Sequence, residues 1–397
     1  MRCRSAGVVA VLALILVLCS EQQDQPSTPS QSVQISPAPT GAQRGAIVEQ
    51  RDAGATYPAI AETGARAFTV TYRSTSGVDG GNSDVTGTVF APAGPAPDGG
   101  RPVVTVGHPT TGVADDCAPS RSPDLLGNAG VVVQLLQRGY VVALSDYQGL
   151  GTPGPHPYLE PKSAAYNLID AVRAARALVP EASTRWAALG TSQGGQASWA
   201  AADLALEYGD GLEFVGSANL SPAADVSGFA AGGAVNLSLP QKLFLPLVIA
   251  GQQVLHPELN PSDYLRGLLA ENNDALTSCS PEANLQKRNI ALRIGKDDAR
   301  PRTPADTDRM RDWLHALALP KQRADGPMLV VVGETDNLIR PEWTAAAVQR
   351  SCALGDVIDF RTRAGEGHAN AKAVPGAVDW VRDRFAGVPA TDTCGPS

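Results

Sequence analysis

The run Gly190-Thr191-Ser192-Gln193-Gly194, with Gly195 next, follows directly on the apolar stretch Trp186–Leu189 and leads into an Ala-rich segment. A serine with glycine two positions to either side, at the junction of a strand and a helix, suits nucleophilic chemistry. So sharp a turn holds the serine backbone under strain, and only small flanking residues let the neighbouring segments approach. The helix that follows turns its free N–H groups toward negative charge developing on a substrate. The pentapeptide alone is a weak signal; its strand–turn–helix placement carries the weight.

A serine hydroxyl needs a base. The chain has five histidines, so elimination is practical. His108 precedes Pro109 at the end of an early strand and reads as a loop-organising residue. His156 stands between Pro155 and Pro157. His256 and His315 fall in a segment of helical character without strands. That leaves His368, in Gly365-Glu366-Gly367-His368-Ala369, after the last strand and before the final helix. The orienting acid then belongs after the strand at 328–332, preserving the order Ser, acid, His. The loop there offers Glu334 and Asp336; Asp336 is preferred because strand–Gly–x–x–Asp–x–x–apolar resembles the acid loop of hydrolases. An oxyanion hole needs two converging donors. The Gln193 N–H is the first. The second is expected from Gly107–Gly112, where Pro109 has no N–H, leaving Thr110 or Thr111.

These residues need a scaffold that brings distant segments to one edge. Short apolar runs at 103–106, 141–144, 186–189, 214–218, 328–332 and 357–362 have the character of buried strands. Segments of helical spacing lie between them, clearest at 125–138, 163–179 and 196–208. Alternating strands and helices predict an α/β fold with a mainly parallel sheet flanked by helices. Alternation at 67–72 and 84–91 predicts an antiparallel hairpin at its edge. From about 222 to 326 no buried strand is visible, and helical stretches at 241–253 and 307–318 suggest an inserted helical cap. The stretch Leu243–Ile249 there suits either an acyl tunnel or the cap's own core.

The chain has 397 residues, 43% hydrophobic and 18% charged, with a net charge of −8 and no basic cluster. That excludes nucleic acid as an expected partner. At the N-terminus Arg2 and Arg4 precede an apolar run, Val8–Leu18, of roughly half the length needed to span a bilayer, so residues 1–19 are expected to be an export signal. Leu16-Val17-Leu18-Cys19 resembles a lipoprotein box, except that Leu18 stands where a small residue is wanted. Cys19 is thus a lipidation candidate, and the product is expected to be secreted or lipid-anchored on the outer face of the cell membrane. Residues 20–45, rich in Ser, Gln, Pro and Thr, are expected to form a disordered tether, leaving 46–390 as the folded domain. In an oxidising compartment Cys117, Cys279, Cys352 and Cys394 are expected to form disulfides; their spacing matches no metal site and leaves three pairings open.

Gly107–Ser120, Ser145–Tyr158 with its Gly149-Leu150-Gly151-Thr152-Pro153-Gly154, the Ser192 elbow, and Ser221-Pro222 together resemble the secretory lipase family, a branch of the α/β-hydrolases. The likeness covers most of residues 60–388. It implies the α/β-hydrolase fold, a Ser–Asp–His triad, a helical cap guarding an acyl tunnel, action on lipid or other carboxylic esters, and no metal or organic cofactor. It also implies the pairings Cys117–Cys279 and Cys352–Cys394. Fold alone does not fix chemistry. An exported serine peptidase or acyltransferase on the same triad, and a catalytically inactive binding protein on the same scaffold, remain the alternatives.

Overall fold

The computed structural model describes residues 40, 43–230, 237–368 and 371–395. The expected export signal, its Cys19 and nearly all of the expected tether lie outside the described residues.

The strands are β1 (Ile47–Asp52), β2 (Arg66–Thr75), β3 (Asn82–Ala91), β4 (Arg101–Gly107), β5 (Val141–Ser145), β6 (Ala182–Thr191), β7 (Glu213–Leu220), β8 (Met328–Gly333) and β9 (Ile358–Arg363). They form one sheet in the order β1-β2-β3-β5-β4-β6-β7-β8-β9. Strands β4 to β9 run parallel, and β1, β2 and β3 add antiparallel pairings at one side. Strand β4 lies between β5 and β6, so the connections leave it in opposite directions. A crevice opens at the carboxyl ends of strands at such a switch point, and ligand sites of open α/β sheets are found there.

The helices are α1 (Pro58–Ala61), α2 (Ala129–Gln137), α3 (Pro161–Leu178), α4 (Gln193–Tyr208), α5 (Leu239–Leu255), α6 (Gly267–Glu271), α7 (Asn273–Thr277), α8 (Pro281–Ala291), α9 (Pro304–Leu317), α10 (Pro341–Ala353) and α11 (Val374–Phe385). Side chains alternate across a strand, and the sheet sorts its residues accordingly. Val103, Val141 and Ala143 pack with α3, α4 and α10 on one face. Val104, Val106, Val142 and Leu144 pack with α2 and α11 on the other. Among the described residues no helix is long and apolar enough to cross a membrane.

Between β7 and β8 the described residues form α5 to α9 and no strand. This insertion has its own apolar centre, with Leu245, Val248, Ile249, Leu269, Leu276 and Leu314, and it closes on Leu338 and Ile339 just after β8. Two of its helices start with reciprocal caps, Ser238 with Gln241 and Thr303 with Asp306, each with proline in the first turn. The Ser238 hydroxyl also donates to Asn337 O (2.6 Å), and Gln241 Nε2 donates to Leu338 O (3.0 Å). The insertion is therefore fastened to the loop that follows β8.

Two local expectations are corrected. The stretch 125–138 is not one helix: Leu125 and Leu126 have φ of 55° and 49°, and the helix begins only at Ala129. Asp124 accepts from Leu126 N (3.1 Å) and holds the preceding residues in a tight turn. Strand β1 was not expected from the sequence. Its Glu49, Gln50, Arg51 and Asp52 are exposed, as suits an edge strand that must not recruit further chains.

Helix α4 buries Asp203 against the chain after α9, where Lys321 N donates to its carboxylate (2.9 Å). Burial pushes this carboxyl up from 3.8 to about 8. The folded chain thus keeps a proton that the unfolded chain has already released. The stabilisation is complete below the unfolded value and is lost as pH rises toward the folded one. Asp203→Asn, which cannot ionise, should therefore gain unfolding midpoint relative to the wild type as pH is raised from about 5 to about 8. A difference that stays constant over that range would contradict this reading.

Candidate active site

Ser192 sits between β6 and α4 with φ 59° and ψ −115°. A non-glycine residue at positive φ persists only where its surroundings over-determine it. Here Ser192 N donates to Leu220 O (2.8 Å), while Ser192 O accepts from Gln196 N (3.0 Å) and Ala223 N (3.1 Å). The glycines follow from packing: a Cβ on Gly194 would lie 1.9 Å from Gly107 O, and one on Gly190 2.0 Å from Gly194 O. The first turn of α4 is thus pressed against the end of β4. An N-cap serine usually turns its hydroxyl back to a backbone N–H of the first turn. Ser192 makes no such cap, which leaves Oγ for another partner.

That partner is His368. Its Nε2 lies 2.9 Å from Ser192 Oγ and its Nδ1 2.7 Å from Asp336 Oδ2. Asp336 is 4% exposed, and its other oxygen accepts from Leu338 N (2.9 Å) and Ile339 N (3.0 Å). Of the two acids offered by the loop after β8, Asp336 meets the histidine. Glu334 instead accepts from Gly365 N (3.1 Å), and Thr335 N donates to Glu366 O (2.9 Å). Gly333 lets the two loops touch, since a Cβ there would stand 2.4 Å from Glu366 O. Glu334 is a fastener for the loop that carries His368.

The loop after β4 runs beside the elbow. Among the described residues, the N–H groups of Gln193, Thr110 and Thr111 have no acceptor within the chain, so all three remain available as donors. Thr110 Oγ1 lies 2.7 Å from Tyr158 OH, and Thr111 Oγ1 donates to Cys117 O (2.8 Å). His108 is fully buried, its ring nitrogens 2.7 Å from Pro109 O and 3.2 Å from Asp146 O. Burial lowers it from 6.5 to about 4, so at neutral pH it is an uncharged spacer within the loop. His156, set aside in the search for a base, lies behind the elbow: its Nε2 is 2.9 Å from Gln193 Nε2 and its Nδ1 2.7 Å from Gln148 O. Sequence reasoning missed this role, and the flanking prolines gave no sign of it.

A cavity of about 560 Å³ opens beside Thr110 and Thr111, walled by Leu243, Phe244, Leu247 and Leu276 and edged by Asn284 and Lys287. Within Leu243–Ile249, helix α5 is two-sided. One side faces the cavity, and Leu245, Val248 and Ile249 face the insertion's centre. Cys117 and Cys279 form a disulfide that joins the β4 loop to the segment between α7 and α8. Cys352 and Cys394 form a second that joins α10 to the C-terminal tail. Among the described residues the only metal-like grouping is Asp116, Cys117 and Cys279, whose two sulfurs are bonded to each other.

Residues 127–261 match the profile of a known family. That family is secretory lipase. Lipase A of Arthroderma benhamiae is 26% identical over 317 residues, covering 70% of this chain and 63% of the relative's length. The match thus spans less than two thirds of that relative. A probable inactive lipase of Mycobacterium tuberculosis is 26% identical over 374 residues, covering 88% of this chain and 80% of its own. Among solved structures, Candida antarctica lipase A in its closed state has a TM-score of 0.72 at 19% identity, with 91% of this chain and 88% of that one covered. The rice cell wall degrading esterase LipA from Xanthomonas oryzae has a TM-score of 0.67 at 22% identity, with 86% and 98% covered. These structural likenesses show the α/β-hydrolase fold.

The close approach of Gly194 to Gly107 yields a direct test. Gly194→Ala should cost about 2 kcal/mol or more, since the new methyl has only backbone to displace. Thermal unfolding measures this, and an unchanged midpoint would contradict the packing described.

Proposed function

We propose that the chain is an exported serine hydrolase that cleaves carboxylic esters, with lipid esters as its substrate class, through Ser192, His368 and Asp336. One observation carries this reading: a single imidazole bridges the serine hydroxyl and a buried carboxylate, at 2.9 and 2.7 Å. In the tautomer that satisfies both contacts, Nδ1–H donates to Asp336 and Nε2 accepts the Ser192 proton. Ser192 Oγ attacks the ester carbonyl as its proton passes to Nε2, and Asp336 stabilises the imidazolium. The oxyanion is received by Gln193 N–H and by the N–H of Thr110 or Thr111. His368 then protonates the departing alcohol. The same imidazole draws a proton from water, which attacks the acyl-serine and releases the acid.

The apolar cavity beside Thr110 supports an acyl chain as the group held, since Leu243, Phe244, Leu247 and Leu276 present hydrocarbon to it. Two disulfides support an oxidising, extracellular setting. The name of the mycobacterial relative motivates a second reading, a non-catalytic binder on the same scaffold. This chain's serine, histidine and aspartate stand within hydrogen-bonding reach of one another, which favours the enzyme.

The test is hydrolysis of p-nitrophenyl esters from short to long acyl chains. The wild type should turn them over, with rates sustained for long chains. Ser192→Ala should abolish turnover without lowering the unfolding midpoint, and Asp336→Asn should reduce kcat by about 10³- to 10⁴-fold by favouring the wrong tautomer. Comparable turnover by Ser192→Ala would remove the assignment, and rates that peak at acetate would remove the lipid substrate class.

A further inference from the structure

We infer that the loop between β5 and α3, residues 146–160, is a clamp that fixes both arms of the oxyanion hole, with His156 and Tyr158 as its positioning residues. The inference rests on the ester-hydrolase reading above and deepens it. The two donor arms come from separate segments, the β4 loop and the first turn of α4, and each is held by this one intervening loop.

On the β4 side, Tyr158 OH lies 2.7 Å from Thr110 Oγ1. Asp146 O lies 3.2 Å from the His108 ring, and Tyr147 OH donates to His108 O (3.2 Å). On the α4 side, His156 Nε2 lies 2.9 Å from Gln193 Nε2, and Leu159 O accepts from Gln196 Nε2 (3.1 Å). The arms are linked through the loop itself. Tyr147 stacks on the His156 ring with centroids 6.0 Å apart, and His156 packs edge-on to Tyr158 at 6.1 Å. Tyr147 and Leu159 adopt φ of 70° and 63°, a strained backbone that persists only under such restraint.

The polarity of the His156 contact is fixed by chemistry. A carboxamide nitrogen only donates, so His156 Nε2 must accept from Gln193, and Nδ1–H must donate to Gln148 O. That requires a neutral ring. Burial supplies it, lowering His156 from 6.5 to about 4, with no carboxylate among the groups that shift it. His156 touches no reacting atom. It acts through Gln193, whose backbone N–H is the donor, as Tyr158 acts through Thr110.

A donor displaced by a fraction of an ångström loses transition-state stabilisation while substrate binding is largely kept. The experiment uses the full-length chain. Ser192 is first titrated with a fluorophosphonate, so that kcat is expressed per reactive serine, and the unfolding midpoint is measured in parallel. His156→Leu and Tyr158→Phe should each lower kcat per titrated serine by about tenfold, with KM within about twofold of wild type. His156→Gln, which restores an acceptor for the Gln193 amide, should recover most of the loss. The double variant His156→Leu/Tyr158→Phe should fall by less than the product of the single effects, as expected for groups holding one unit. Unchanged kcat per titrated serine in both single variants would overturn the clamp, as would a loss that His156→Gln does not relieve. A wild-type chain that fails to label at Ser192 would instead remove the hydrolase reading, and this inference with it.

Discussion

The contact between Gly194 and the backbone of Gly107 and His108 sets the terms for everything built on the sheet's carboxyl edge. A Cβ on Gly194 would lie 1.9 Å from Gly107 O and 2.9 Å from His108 O. Without that methyl, the first turn of α4 can press against the end of β4. The same closeness leaves Ser192 at positive φ, with its hydroxyl uncommitted to the helix cap. It also brings together the Gln193 N–H and the Thr110 loop, which follow the neighbouring strands β6 and β4, where Gly107 pairs with Gly190. A nucleophile and the two segments that carry its candidate donors thus meet under one steric condition.

The remaining parts are fastened to this centre by loops rather than by the sheet alone. The acid loop and the histidine loop hold one another through Glu334, Thr335 and the bare Gly333, which fixes Asp336 beside His368. The insertion reaches the same point from the other side, through Ser238 and Gln241 to Asn337 and Leu338. The disulfide Cys117–Cys279 ties the β4 loop to that insertion. The cavity wall, the acid and the donor loop therefore share attachments. A change in the insertion's position would be felt by the groups around Ser192.

Much of this is legible in the sequence, for reasons that differ by element. Strands β4, β5 and β8 and the carboxyl half of β6 are short apolar runs because both faces of the sheet are covered there, and a doubly buried strand has little room for polar side chains. Strand β9, at the sheet's edge, is buried only at Ile358 and Asp359 and carries Arg361 and Thr362 exposed. Ser192, Asp336 and His368 stand out because each follows a strand at the same edge, in a fixed order along the chain. Strand β1 is hidden because Glu49–Asp52 are exposed and polar, with only backbone pairing to β2 to define them. The break before α2 is hidden because Leu125 and Leu126 are apolar residues in an unusual left-handed conformation, which no residue pattern announces. His156 is the instructive miss. Counting histidines as candidate bases discards a ring whose partner, the Gln193 amide, becomes its neighbour only after folding.

The central claim is that the Ser192 hydroxyl is reactive because His368, held by Asp336, accepts its proton. The most direct measurement is the second-order rate of fluorophosphonate labelling at Ser192, located by peptide mass mapping, in the wild type and in His368→Ala. The account predicts a single adduct on Ser192 whose formation slows by about 10³-fold or more without the imidazole. An adduct elsewhere in the chain, or equal labelling rates with and without His368, would contradict it.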